Sequence, residues 1–571
     1  GNASGAWGTQ LMASAGATGN ASVTMIGADG ASGFQFSLNP AVVTEGTLTS
    51  QPIDYDDGDG PAWGEFYWND TEPAASEILY RIEYRNSVDA WELIPDGALP
   101  GNSAGFTTTA VNLESLDTTT YNAIRIVASL SCDGATCPTV NDLTVTWSSG
   151  FTVSGTAYEY DGVASTTSGT VAIAVNGVLQ SGKTGTISNG LWSIPNVTFY
   201  EDDIVTVFVQ GANADEAVAV TQYDGTPGIS GLSLVKRHLT IGSDDLPTIA
   251  NADIALYDFT NTEDVFFDVN GGNDLSLCAD TNCADASLRI LAGASYVPGT
   301  GGDIATHNFR NDGIFTPGSN TMRVSGSWDN NSTTTMTNAT VIFTATTSNF
   351  TADDADGVLD FHNVTFGEGS GSATWSIHDT LDIENALTVA YGTLARGTES
   401  VLVAGNLTTQ ANGFWTGIGT TTFDGINPST WTDTNATKQN IGNVVVNGTS
   451  KTMILGSNVV MNSMRVETDD VFDLSTTGYT ASVYRGWTNI GSFLPRTGTV
   501  AFIATSSSYV INNGPSPFYN LTFNGAGGAW SFATATLTVQ NNFTIATGTV
   551  TMPTGTTTIS GSFLNTGGTF A

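Results

Sequence analysis

Apolar and polar residues alternate over short stretches along almost the entire chain, as in EILYRIEYR (77–85), YNAIRIVASL (121–130), FTVSGTAYEY (151–160) and GLWSIPNVTF (190–199). A period of two sends successive side chains to opposite faces of an extended backbone, so each stretch predicts a strand. Clusters of Gly, Asn, Asp and Pro lie between them and predict turns. The longest helix-permissive run, GANADEAVAV at 211–220, is short and sits between strand-like segments. The pattern predicts an all-β fold.

The strands group into modules. Residues 1–44 contain one clean alternation, FQFSL, with Phe34, Phe36 and Leu38 on one face. One strand makes no sheet, so this N-terminal arm is expected to join the next module or to be donated to a neighbouring molecule. Residues 45–149 read as a β-sandwich module and 150–237 as an Ig-like β module, with short strands at sandwich spacing. From 238 onward the chain repeats itself. FHNVTF at 361–366 returns as FYNLTF at 518–523, with IGNVVV at 441–446 between, so Phe361, Ile441 and Phe518 lie about 77 to 80 residues apart. A partial copy lies upstream, where HNFRNDGIFTPGSNTMRVSGSW (307–328) matches NNFTIATGTVTMPTGTTTISGSF (541–563). Copies are expected at 238–335, 336–417, 418–497 and 498–571. Strands this regular, punctuated by Gly-Thr and Asn-Gly, suit a β-solenoid whose coils bury Val, Leu, Ile and Phe between them. Tandem β-sandwiches are the alternative.

Three regions resemble known bacterial proteins. LTSQPIDYDDGDGPAWGEFYW, followed by YRIEYRNSVDAWE, YNAIRIVASL and PTVNDLTVTW, resembles a sandwich module of very large bacterial surface proteins. FTVSGTAYEY with the later DIVTVFV strand resembles Ig-like modules of bacterial cell-surface proteins, which implies a spacer. Residues 238–571 resemble the repeat regions of giant adhesin-like surface proteins of uncultured bacteria, in which FxNLTF and GTxTxxGxFxNxGGTF recur. These resemblances imply architecture and a cell-surface location rather than a chemistry.

Composition narrows the function classes. Aromatic residues are 10 %, charged residues only 12 %, and 54 Asp plus Glu stand against 15 Lys plus Arg, for a net charge of -39. Such a surface repels phosphate backbones, which argues against nucleic acid as a partner. No apolar run approaches the ~20 residues of a membrane span. Four cysteines form two equal spacings, Cys132 with Cys137 and Cys278 with Cys283. Four intervening residues let each pair close a loop as a local disulfide, which implies an oxidising, extracellular compartment. The rival is one zinc site, for which segments about 140 residues apart must converge.

Candidate chemistry is sparse. The turns DYDDGDG (Asp54, Asp56, Asp57, Asp59) and DDADG (Asp353, Asp354, Asp356) share Asp-Asp-x-Asp-Gly, a grouping that suits calcium, although neither completes the twelve-residue calcium loop. Glycosylation sequons include Asn363, Asn406, Asn520 and Asn542, with Asn363 and Asn520 at equivalent repeat positions. Trp375 and Trp530 also match between copies, and with Trp415 and Trp431 they suggest a stripe on which glycans stack, core packing being the other use of such residues. His238, His307, His362 and His378 match no metal spacing, and SIHD places Ser, His and Asp on alternating strand faces. No paired carboxylates recur on adjacent copies, so an enzyme is not expected.

The chain stops at GSFLNTGGTFA, part-way through a repeat, and a solenoid end needs covering. Either further sequence follows or another molecule sits there, and head-to-tail stacking that does not close produces a fibre. The expected function is an extracellular structural protein that assembles with itself into a surface filament or stalk. A carbohydrate-binding adhesin that takes surface glycans is the alternative, and a polysaccharide-active enzyme the third reading.

Overall fold

The computed structural model describes residues 20–22, 45–54, 62–73, 75–117, 120–133, 136–148, 150–160, 162, 169–211, 216–226, 228–279, 284–354, 357–506 and 508–571. Among them the only α-helix is the single turn Asn251–Ile254, so the fold is all-β as the alternation predicts. The helix-permissive run at 211–220 instead ends in the strand Val218–Gln222.

The first module is a two-sheet sandwich. Glu45–Thr49, Ala123–Ser131, Glu77–Arg85 and Trp91–Leu93 form one sheet, and Val111–Asn112, Ala62–Thr71 and Thr139–Ser148 the other. Ile78, Tyr80 and Ile82 alternate inward along Glu77–Arg85 and meet Ile124, Ile126 and Ala128 in one core. Of the arm, Asn20–Ser22 is described, and it pairs in parallel with Glu45–Thr49 in this module's own sheet. FQFSL at 34–38 lies outside the described residues.

From 238 to the end the chain winds as a β-solenoid of about 16 turns. The coils carry three strands each. Val459–Met461, Ser463–Val466 and Val471–Asp473 make one coil, and each pairs in parallel with its counterpart in the next: Val459 with Ala481, Met464 with Trp487, Phe472 with Phe493. One coil therefore takes about 21 to 23 residues there. Thr340–Phe343, Thr420–Phe423, Thr480–Val483 and Thr499–Phe502 share one pattern, each opening on a half-buried Thr and alternating half-buried with buried positions to end on a buried Phe or Val. Parallel strands stack ~4.8 Å apart, so the coils build a bar about 75 Å long.

The repeat of about 80 residues thus spans roughly four coils, and its meaning is aromatic packing. Within one continuous core, Trp328, Phe343, Phe361, Phe366 and Trp375 pack ring on ring, and so do Trp487, Phe493, Phe502, Phe518, Phe523 and Trp530. Their geometries match. Phe343 and Phe366 stack at 4.8 Å, Phe502 and Phe523 at 5.2 Å, and each second ring meets its tryptophan at 5.8 or 5.1 Å. The glycine of the following Gly-Thr pair is part of the device. Gly392 and Gly548 have φ of +73° and +87°, and a Cβ at either would strike the indole of Trp375 or Trp530.

The second module, the Ig-like unit of the sequence reading, is also a sandwich, but it is not a separate bead. Its sheet of Val178–Thr186, Thr170–Val175, Ile204–Gln210 and Val218–Gln222 continues by parallel pairing into His238–Ile241 and then Ser287–Ile290. One face of that sheet, with Val171, Ile173, Val205 and Val207, packs into the sandwich core. Its other face, with Ala172, Ala174, Phe208 and Val220, packs into the solenoid core, where Phe208 stacks on Tyr257 at 5.4 Å. Such two-sided burial is why TVAIAV and IVTVFV are buried at nearly every position instead of alternating. At the opposite end Phe563, Leu564 and Phe570 are about half exposed.

Candidate functional site

The described residues line an open, shallow cavity of about 280 Å³ on the first coils of the solenoid. Outward positions of three stacked strands make its floor: Ser276 pairs with Ala305, and Ala305 with Arg323. Two small side chains followed by a long one leave a recess, which Ala284 and Ala286 widen. The coil corners supply Cys278, Thr306, His307, Ser325 and Thr344, and Glu368 closes the far side. Arg323 donates from Nε and Nη2 to the two Glu368 oxygens at 3.3 and 3.4 Å. Burial lowers the pKa of His307, so at neutral pH its imidazole is uncharged, a donor and an acceptor at once. Its Nδ1 lies 3.0 Å from Ser325 Oγ, and the edge of Phe350 packs against the ring.

A serine beside a histidine is two parts of an acyl-transfer triad. The third is not in place, because Asp285 acts on His307 only through space while its Oδ1 accepts Arg237 Nη1 at 2.9 Å. What the cavity offers is hydrogen bonding of both polarities around a neutralised ion pair. That suits an uncharged polyhydroxylated ligand better than an ion.

A charged column runs beside it. Arg289, Arg310, Asp329 and Asp353 occupy successive parallel partner positions, and His378 follows Ile377, the partner of Ala352. Asp312 accepts from Arg310 at 2.9 Å and Arg289 at 3.3 Å, Arg310 reaches Asp329 at 3.3 Å, and His378 pairs with Asp353 at 2.8 Å. Burial, then the charges of Asp312 and Asp353, act to raise the pKa of Asp329 against the pull of Arg310. A further polar ladder is internal: Asn311 donates to Asn330 at 2.7 Å, and Asn330 to Asp354 at 2.6 Å.

The middle coils bury two cations. Arg396, 1 % exposed, donates to Thr421 Oγ1 and Gly419 O at 2.8 Å and to Ile441 O, with Trp415 against its guanidinium. Burial lowers its pKa to about 10, so it stays charged at neutral pH. Lys451 donates to Ala404 O beside Asp424 and Asp470, and burial lowers its pKa against the pull of those carboxylates. Each cation reaches across several coils at a corner.

The residues singled out from sequence fall as follows. Trp375 and Trp530, 0 % and 2 % exposed, lie inside the solenoid, so the stacking stripe is corrected to core packing; Trp431 is buried too and Trp415 nearly so. Trp375 alternates in phase with buried Ile377, which is what turns it inward. Asp353 and Asp354 are consecutive on one strand and turn to different partners, His378 and Asn330. Asp54 ends a short strand paired with Ala123, while Asp56, Asp57, Asp59 and Asp356 lie outside the described residues. Among the described residues no three His, Cys, Asp or Glu side chains converge as metal ligands. Cys132 and Cys137 are bonded to each other, and Cys278 is disulfide-bonded, its expected partner Cys283 lying outside the described residues.

The four sequon asparagines make hydrogen bonds from coil to coil. Asn363 and Asn520 donate to carbonyls of the preceding coil and accept from Asn385 and Asn541, while Asn406 and Asn542 accept the backbone N–H of Thr430 and Ser562 one coil on. The cavity itself was not read from sequence. Its signal was there, because aligning 307–328 with 541–563 sets His307, Arg310 and Arg323 against Asn541, Thr544 and Thr558. Charged departures from a neutral repeat mark positions the coil does not need. Comparison with family models, curated proteins and solved structures finds no match.

Proposed function

We propose that this chain is an extracellular structural protein, a rigid stalk-like or filament-forming element of a cell surface. The observation that supports this most is the unbroken line of strand pairing from the second sandwich through the last coil, which makes sandwich and solenoid one stiff bar. A bar whose interior is apolar and whose corners are tied by Asn, Arg and Lys suits bearing load over distance. The local disulfide Cys132–Cys137 supports an oxidising surrounding. The role is structural rather than enzymatic. Negative-stain electron microscopy over a concentration series tests it: end-to-end fibres are expected, and monodisperse rods at every concentration, with and without calcium, overturn the assembly.

The cavity favours a second reading, a carbohydrate-binding adhesin. It would hold one sugar unit between the Arg323–Glu368 pair, His307 and the hydroxyls of Thr306 and Ser325. A glycan array tests this reading. A hit that weakens in Arg323→Ala supports it, and a blank array or a hit unchanged in that variant removes it.

A further inference from the structure

Two carboxyl groups meet where the second sandwich joins the solenoid. Asp224 lies in the turn after Val218–Gln222 and Asp245 in the turn after His238–Ile241. These strands are parallel neighbours, so both turns emerge at the same end. Beneath them Thr221 Oγ1 and Ser243 Oγ, both buried, are 2.7 Å apart, and the Asp245 N–H donates to Ser243 Oγ at 3.1 Å. This fixes the Asp245 turn against the sandwich.

The two carboxyls differ in surroundings. Asp224 is exposed, and its Oδ1 accepts both the N–H and the hydroxyl of Thr226, at 2.8 and 2.6 Å, which holds its carboxyl below the usual range. Asp245 is 9 % exposed; its Oδ1 has only the Thr226 hydroxyl at 3.5 Å and its buried Oδ2 has no hydrogen-bond partner. An ionised carboxylate with an orphaned buried oxygen is costly. Protonated, Asp245 becomes a donor, and the neighbouring Asp224 is its acceptor.

We propose that Asp245 and Asp224 share one proton and form a pH-sensitive latch between sandwich and solenoid, closed in acid and opened by repulsion in alkali. The carboxylates of Asp224 and Asp244 oppose the ionisation of Asp245, and the Thr226 hydroxyl weakly favours it. Asp244 stands in its own turn, held by the Ser230 N–H at 2.6 Å, while Asp224 and the buried phenol of Tyr223 come from the opposite turn, with Glu201 beyond Tyr223. Burial first, then the charges of Asp224 and Asp244, push the Asp245 carboxyl up to about 7. The unfolded value is about 3.9, so the folded state alone holds this proton between the two values. The latch's contribution is complete below about pH 4, falls as pH rises from there, and is lost above about 7.

Hydrogen exchange of the full chain, corrected for intrinsic rates, tests this at about pH 5.5 and about pH 8.5. Peptides covering 217–222 and 238–243 should lose at least about tenfold protection at the higher pH relative to a reference at 459–473, and Asp245→Asn should abolish that difference. Equal protection of the wild type at both pH values, or the same loss in Asp245→Asn, overturns the latch. If Asp245→Asn does not fold, Asp224→Asn at the exposed partner keeps the question open to decision: removing its charge should move the midpoint of the loss to lower pH, and an unmoved midpoint rejects the shared proton.

Discussion

Two stretches of the solenoid meet the same packing demand with opposite chemistry. At 328–375 five buried aromatic rings fill the coils and at 487–530 six, while between them the corners are held by the buried cations Arg396 and Lys451. The aromatic coils gain from apolar area removed from water, a term that needs volume but little direction. The middle coils satisfy backbone carbonyls at the turns, which needs direction and tolerates no missing partner. The repeat of about 80 residues hides this difference, because all three copies keep the strand phrase while the middle one keeps Phe423 and has Ile441, Val446 and Met453 where the outer two have Phe, Phe and Trp.

The comparison predicts a graded set of losses. Trp375→Ala or Trp530→Ala empties a packed interior and should cost ~3–5 kcal/mol, read as a lower denaturant midpoint by tryptophan-independent circular dichroism. Equal, small losses at both sites would mean that the rings are dispensable filling. Lys451→Met leaves Asp424 and Asp470 without their cation and should cost about 3 kcal/mol near neutral pH. Burial already raises the pKa of Asp424 and Lys451 lowers it, so the variant's Asp424 titrates higher still. Its raised folded pKa makes the deficit largest above that value, and acidification should shrink it. Arg396→Met removes three buried hydrogen bonds, although Thr421 Oγ1 still donates to Ile441 O and the Asn443 N–H to Gly419 O, and should cost about 1–3 kcal/mol, without that recovery in acid, because none of its hydrogen-bond acceptors is a carboxylate. Arg310→Gln, on the outer column, should cost under ~1 kcal/mol and less in high salt, which separates surface pairing from buried staples.

Much of the fold was legible because strand alternation and the recurring FxNLTF phrase are direct consequences of stacking. The single coil was harder to see. Its inward positions accept Val, Leu, Met, Phe or Trp alike, and its corners vary in length, so only the aromatic phrase stands out at four-coil intervals. The capping role of the second sandwich was written in TVAIAV and IVTVFV, whose continuous apolar runs mean burial on both faces. As isolated strands they read equally well as an independent module. The asparagines of the sequons also tie one coil to the next, and that is invisible until the coils are superposed.

The central claim is that sandwich 150–237 and the solenoid form one continuous body. Cryo-electron microscopy of the intact chain tests it most directly, by classifying particles on the angle between the solenoid axis and that sandwich. A single angle, with density continuous from Val218–Gln222 into His238–Ile241, is predicted. A broad spread of angles, with the two strands separated, would contradict it.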